Sequence, residues 1–283
     1  MQDFRQGNDI FTQHQAAAAG IATRNIMKDD FGYEIPVESV PIPSGGLIYP
    51  EGSPLHNSET IEIRAMTAKE EDILTSKALI KKGTVISELL SSCIVNKGVD
   101  VNQMITGDRN AVMTAIRITG YGAAYNCEVD CPACGEKNKK DFNLAELPIK
   151  RLNVQPVVEG ANVFSFDLPM SKKKVLFKFL TGTDETEITQ EIDRRKKKLG
   201  SETDNLITIR LQHSILSVDD IKDKTKISQF IRNMPAGDSR ALRKFMDDNE
   251  PGIDMKAWMV CGSCSEQSEV RLPMGASFFW PDA

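Results

Sequence analysis

The sequence has few histidines and none of the short motifs that mark common enzyme classes. His14, His56 and His213 are its three histidines, and they are widely scattered, which disfavours a histidine-based catalytic centre. The segment "LTGTDE" lacks the Gly-Lys-Ser/Thr ending of a phosphate-binding P-loop. There is no G-x-S-x-G, no H-E-x-x-H and no glycine-rich dinucleotide fingerprint. We therefore expect a protein that is not an enzyme and has no catalytic residues.

The sequence also lacks a long apolar run and an excess of positive charge. A helix that spans a bilayer needs about 20 consecutive apolar residues, and no segment approaches that length. The formal net charge is −5, which disfavours general nucleic-acid binding, because that affinity comes mainly from lysines and arginines that neutralise phosphates. The N-terminal residues lack the basic start and apolar core of a secretory signal. We expect a cytosolic chain with reduced thiols and no membrane segment.

The six cysteines provide the strongest signal in the sequence. Cys131 and Cys134 form one C-x-x-C, in "CPACG", and Cys261 and Cys264 form another near the C-terminus, in "CGSCS". Residues able to form strands stand before and after each pair. A strand, a two-cysteine turn and a second strand, occurring twice, outline a zinc ribbon in which four thiolates complete a closed structural Zn²⁺ site. A redox dithiol of the thioredoxin type would instead lie between a strand and a helix. The pattern therefore predicts a Cys₄ zinc site.

The remaining two cysteines do not fit the zinc pattern. Cys127 lies four residues before Cys131 in the same predicted strand, so it could face the same way. We interpret it as a small strand residue, with a fifth-ligand role left open. Cys93 shares a helical stripe with Ile86, Leu89 and Leu90, which predicts a buried, inert thiol.

The order of the predicted elements indicates an α+β protein with a ribbon interrupted by a long insertion. Residues 1–40 are polar and carry no clear apolar stripe, which predicts a flexible N-terminal arm. Residues 41–147 and 254–283 form a predicted core of strands and helices around the split ribbon. Thr67 and Glu70 match a helix capping box, and Asp108 is a candidate cap for a later helix.

The insertion is predicted to span residues 148–253 and to be mostly helical. It begins with two alternating stretches, "VFSFDLP" and "KKVLFKFLTG", that can pair as a β-hairpin around "MSK". In "NLITIRLQHSILSV", Ile207, Leu211, Ile215 and Val218 recur at helical spacing and predict one core helix. His213 has no other histidine or cysteine near it in sequence, so we expect it to be structural or exposed.

Several stretches together resemble a known family. They are "PSGGLIYPEGS", "IEIRAMTAKEEDIL", "CPACG" leading into "DFNL", "FKFLTGTDE", "MPAGDSRALRKFM", "CGSCSEQSEV" and "FFWP". In this order they are similar to the T4-type baseplate proteins of contractile-tailed bacteriophages, a family that includes the hub subunit and hub-assembly proteins. The likeness covers roughly residues 41–281.

The resemblance implies a late viral protein that works in the infected cell's cytoplasm and helps to build the central baseplate hub. Its partners would be other phage hub and tail proteins, and it would act without a small-molecule substrate. The family offers no catalytic residues to carry over, and its paired C-x-x-C motifs fall on the four cysteines of the predicted zinc site. Both an assembly chaperone and a permanent virion component fit this resemblance.

Two further alternatives remain open from the sequence. Phe278, Phe279 and Trp280 form an apolar cluster near the C-terminus that could bind a partner or fold back onto the ribbon. The basic stretches "GEKNKK" and "RRKKK" allow a nucleic-acid-binding zinc-ribbon regulator. The acidic balance and the lack of aromatics among the basic residues disfavour this second function.

Overall fold

The chain combines α-helices with several small antiparallel sheets. In the computed structural model, the described residues are 25–28, 32, 34–199, 206–274 and 276–279. Within these ranges there are eight α-helices and twelve strands, so the expected α+β class is confirmed. One main apolar cluster extends from the N-terminal sheet through the cysteine hairpins into the segment predicted as an insertion.

The elements follow one another with short connections. The helices are α1 (Ala68–Thr75), α2 (Lys77–Lys82), α3 (Val85–Cys93), α4 (Thr106–Tyr121), α5 (Gly182–Leu199), α6 (Leu206–Ser214), α7 (Lys224–Asn233) and α8 (Ala236–Asn249). The strands are β1 (Asn25–Lys28), β2 (Glu34–Pro41), β3 (Thr60–Arg64), β4 (Ala124–Asp130), β5 (Lys137–Asn143), β6 (Ile149–Lys150), β7 (Phe164–Asp167), β8 (Lys174–Phe177), β9 (Ile215–Val218), β10 (Gly252–Ile253), β11 (Lys256–Val260) and β12 (Gln267–Arg271).

The N-terminal sheet corrects the prediction of a flexible arm over residues 1–40. Strands β1, β2 and β3 form an antiparallel sheet in that order. Val37 and Val40 of β2 are buried in the core together with Ile61 and Ile63 of β3. This burial fixes residues 34–40, because moving them would expose apolar side chains to water. The first 24 residues of the predicted arm lie outside the described part of the chain.

The glycine-rich turn after β2 is tied to the first turn of α4. The Ser44 N–H and hydroxyl donate to the two carboxylate oxygens of Asp108 at 2.9 and 2.6 Å, and the Tyr49 hydroxyl donates at 2.7 Å. Burial raises the pKa of Asp108 to about 6, despite these hydrogen bonds. The sequence predicted Asp108 as a helix cap, which is wrong: Ile105 is the N-cap, and Asp108 anchors the turn instead.

The predicted capping box at the start of α1 is confirmed. The Glu70 side chain accepts from the Thr67 backbone N–H at 2.9 Å, and Arg64 and Ser92 also donate to it. Burial opposes ionisation of Glu70, but the hydrogen bonds from Arg64, Ser92 and Thr67 together lower its pKa to about 2. The cap therefore also joins α1 to the end of β3 and to α3.

The predicted hairpin is present as β7 and β8, but the long helix that follows is shorter than predicted. Helix α6 ends at Ser214, and Ile215–Val218 forms β9, which pairs with β8. Ile207, predicted to face the core, is 48% exposed. The apolar residues at 215 and 218 are buried, but they are buried as strand residues.

The two ends of the predicted insertion lie side by side. Strand β6 pairs antiparallel with β10, so Lys150 lies opposite Gly252. Gly107, in the first turn of α4, contacts this junction so closely that an added Cβ would lie 1.7 Å from the Pro251 carbonyl oxygen. The short β6–β10 pair brings the chain back to the cysteine hairpins, whereas the division into separate domains stays a prediction.

Candidate metal centre

The first cysteine pair lies in the turn between β4 and β5. The two strands pair antiparallel up to the last pair, in which Asp130 lies opposite Lys137. The Cys131 N–H donates to the Glu136 carbonyl at 2.9 Å, and the Gly135 N–H donates back to the Cys131 carbonyl at 2.8 Å. Gly135 has φ of +74°, a left-handed conformation that glycine adopts without strain. The turn is therefore a closed knuckle that presents two thiols on one side.

The second cysteine pair repeats this geometry between β11 and β12. Val260 lies opposite Gln267 at the end of the ladder. The Cys261 N–H donates to the Glu266 carbonyl at 3.0 Å, and the Ser265 N–H donates to the Cys261 carbonyl at 3.1 Å. Ser265 has φ of +60°, so it occupies the position that Gly135 takes in the first knuckle. The two hairpins have the same local structure.

The structure brings all four predicted ligands together. The four Sγ atoms lie within 4.8 Å of one another. Cys131 and Cys264 have their sulfurs 3.8 Å apart, and Cys134 and Cys261 have theirs 3.7 Å apart. Zn–S bonds of about 2.3 Å place tetrahedral sulfurs about 3.8 Å apart. A disulfide would need about 2.05 Å, so the arrangement fits a metal and not a pair of disulfides.

Asn138 links the two knuckles, and the sequence gave no signal for it. Its Nδ2 donates to the Cys261 Sγ at 3.5 Å and to the Glu136 carbonyl at 2.9 Å. Its Oδ1 accepts from the Gly262 N–H at 2.8 Å. This amide therefore joins the turn of one hairpin to the turn of the other beside a candidate ligand. Only the packing of the two hairpins shows this role, because an asparagine in a polar strand is ordinary.

The environment of Cys261 favours its thiolate form. Backbone N–H groups of Cys264 and Ser263 lower the pKa of Cys261 to about 6. The Ser263 N–H lies 3.4 Å from the sulfur. Since a thiolate is the form that binds metal, these amides prepare the site for a cation.

The matched family covers both knuckles. Comparison with protein-family models matches residues 47–280 to the model described as T4 bacteriophage base plate protein. The chain belongs to this family. Comparison with curated proteins and with solved structures returns no match. The resemblance drawn from the short sequence motifs is thereby confirmed for most of the length of this baseplate protein.

The other two cysteines of the baseplate protein lie outside the four-sulfur cluster. Cys127 is on the buried side of β4 with Tyr125 and Val129, and burial raises its pKa to about 11. Cys93 is fully buried at the end of α3, and burial raises its pKa to about 12. Cys93 is therefore the inert thiol that the sequence predicted. Cys127 is a core residue of its strand and not a fifth member of the cluster.

The C-terminal aromatic residues are buried against the base of the first hairpin. Phe278 and Phe279 are 0% and 2% exposed, and the Phe278 ring packs edge-on against Tyr125 at 5.3 Å. The buried Arg117 donates to the carbonyls of Phe278 and Ala124, so it ties this segment to the start of β4. The structure thus favours the alternative in which these rings fold back, and partner binding would require them to leave the core. Trp280 lies outside the described residues.

A second group of potential ligands surrounds His213, which the sequence analysis left without a partner. Its Nδ1 lies 3.8 Å from Asp184 and 3.7 Å from Glu187. However, the Lys178 ammonium lies 2.7 Å from both oxygens of Asp184. Because this cation already neutralises Asp184, the group is better described as an ionic cluster between α5 and α6 than as a metal site.

The helices of the structure do not favour membrane insertion. Among the residues described, no helix has both the length and the apolar character needed to cross a bilayer.

Proposed function

We propose that this baseplate protein is a hub component or hub-assembly protein of a contractile phage tail and that it acts through contacts with other tail proteins. Membership of the baseplate family over residues 47–280 is the observation that carries the proposal. The hub role in particular rests on the resemblance of the sequence motifs, since the family description names only the baseplate. A non-enzymatic role belongs to the same proposal.

The proposal includes a structural zinc ion held by Cys131, Cys134, Cys261 and Cys264. The residues fit this ion: four soft thiolate donors at tetrahedral spacing leave no open position for a substrate. When bound, the ion would supply folding free energy, because an unfolded chain has no preformed site. The four cysteines themselves join the middle of the chain to its C-terminal part.

This staple would have a specific mechanical consequence for the protein. The two knuckles belong to separate two-stranded sheets, β4–β5 and β11–β12. A shared ion would fix one hairpin relative to the other and, through β6 and β10, would hold the ends of the segment 150–252 together. A rigid arrangement lowers the conformational entropy lost on docking, which suits a protein that acts by binding others.

The site of action would be the host cytoplasm during assembly and, for a permanent component, the baseplate of the virion tail. A phage that carries Cys261→Ser tests this function. We expect lysates of this variant to lack complete hubs and tails in sedimentation and electron microscopy. Ser263→Ala is the matched control, because it changes an exposed residue of the same knuckle and leaves all four thiols in place.

Normal tail yield from the Cys261→Ser phage would overturn the proposal that the staple is needed for assembly. Mass spectrometry of purified wild-type virions distinguishes the two forms of the hub proposal. The protein is present in the particle if it is a component, and it is missing if it leaves after assembly.

A further inference from the structure

The two knuckle hairpins have equivalent positions whose exposed residues differ in chemistry. In β4, Glu128 and Asp130 lie three and one residues before Cys131, and both are exposed. Their cross-strand neighbours are lysines at 139 and 137, so the outer face of this hairpin is charged. In β11, the corresponding positions before Cys261 are Trp258 and Val260.

The outer face of the second hairpin is therefore apolar where that of the first is solvated. Trp258 is 64% exposed and Val260 is 54% exposed, whereas Met259 between them is buried. The residues across from them are Glu269 and Gln267, which do not cover the rings or methyls. Exposed tryptophan on a structured surface is characteristic of binding hot spots, because its large ring gains most when a partner removes it from water.

The position of this face makes it suitable for docking. Trp258 and Val260 sit on a strand whose five residues all pair with β12. The strand runs directly into Cys261, so the four-sulfur cluster holds its end. A side chain on a fixed strand loses little backbone entropy when it binds, and more of its burial energy appears as affinity.

The charges beside Trp258 indicate the chemistry of the partner. Lys256 and Arg271 lie directly opposite each other at the base of the hairpin, and like charges at such positions repel. Glu269 approaches Lys256 only to 4.0 Å, and no ion pair of Arg271 forms within the described residues. In a chain of net charge −5, this is a local positive patch. A carboxylate placed between the two cations would remove the repulsion.

We propose that Trp258 and Val260 form a docking surface for another protein of the same phage baseplate. That protein would receive the Trp258 ring in an apolar pocket and would place acidic side chains against Lys256 and Arg271. This inference rests on the proposed function, since it names the surface through which the baseplate protein would join its neighbours.

The test uses the full chain and, as probes, the other baseplate proteins of the same phage, each purified and tested singly by biolayer interferometry. We expect one of them to bind the wild-type protein and to bind Trp258→Ala at least ten-fold more weakly. The double variant K256E/R271E should also weaken binding. Glu128→Ala is the matched control from the equivalent strand position and should change the affinity less than two-fold. Both single substitutions are at exposed positions, and thermal melting confirms that each variant is folded.

The other outcomes overturn the inference in distinguishable ways. If a baseplate protein binds but Trp258→Ala binds it equally well, the docking surface is wrong and the proposed function stands. If no baseplate protein binds, both fail. If Trp258→Ala affects only self-association in analytical ultracentrifugation, the face joins copies of this chain. If it affects only the binding of a labelled single-stranded DNA oligonucleotide, the face is a base-stacking surface and the assignment to a protein partner is wrong.

Discussion

The Sγ atoms of Cys134 and Cys261 lie 3.7 Å apart, although the two residues are 127 positions apart in the chain. Each belongs to its own hairpin, and the two hairpins form separate sheets. Closing such a long loop costs little more entropy than closing a shorter one, because the cost grows only logarithmically with length. A metal at this point would therefore gain the binding energy of four thiolates for a modest entropic cost.

The first prediction concerns Asn138, which bridges the two knuckles. Asn138→Ala removes a donor to the Cys261 sulfur and the acceptor for the Gly262 N–H. Loss of such a supporting partner typically lowers metal affinity by about 10- to 100-fold. Competition with a chromophoric chelator measures the change. Asn126→Ala is the control, since Asn126 is an exposed residue of the same hairpin that bonds only Asp141. Equal zinc affinities for the two variants would show that Asn138 has no role at the site.

The second prediction concerns the contact between Gly107 and the β6–β10 junction. A Cβ at position 107 would lie 1.7 Å from the Pro251 carbonyl oxygen, and backbone atoms must move to accommodate it. We expect Gly107→Ala to lower the free energy of unfolding by about 1–3 kcal/mol or more. Urea unfolding measures the loss. Gly52→Ala is the control, because a Cβ there has nothing within 4 Å. A similar effect for both substitutions would mean that the close approach is not important for stability.

The third prediction is a pH dependence that arises from Glu70. Burial disfavours its charge, but hydrogen bonds from Arg64, Ser92 and Thr67 bring its pKa in the folded protein to about 2, below the ordinary value of 4.5. The folded state therefore favours the ionised carboxylate. The stabilisation is present above pH 4.5 and is lost as the pH falls toward 2.

Glu70→Gln should accordingly be less stable than the wild type at pH 7, by about 1.5–3 kcal/mol for hydrogen bonds to a charged group. The difference should shrink as the pH is lowered from 4.5 toward 2. Chemical denaturation at a series of pH values gives both quantities. Asp72→Asn, an exposed change on the same helix, should show neither. A difference that stays constant over this range would rule out the proposed ionic origin.

The sequence was sufficient to predict the candidate ligands, because the chemistry of the site is local. Two thiols at C-x-x-C spacing require a tight turn, and the strands on both sides are visible in the residues themselves. The Thr67–Glu70 cap was predictable for the same reason, since both partners lie within one helical turn. In contrast, Asn138 and Asp108 find their partners far along the chain, so no local pattern could reveal their roles.

The two wrong element predictions also have a physical cause. The residues Ile215 and Val218 continue the helical spacing of the segment before them, but their backbone is taken up by hydrogen bonding to β8. Strand β2 contains Pro36 and Pro41 and several polar residues, which locally disfavour a strand, yet it is held between β1 and β3. In both places, pairing with distant strands outweighs the local preference.

The measurement that tests the central claim most directly is native mass spectrometry of the purified protein before and after treatment with a strong chelator, with circular dichroism recorded in parallel. The account predicts one zinc ion per chain in the untreated wild type and none in Cys261→Ser. It also predicts that chelation removes the ion and destabilises the fold. A metal-free wild-type chain that retains its full thermal stability would contradict the account and would reduce the four cysteines to packing residues.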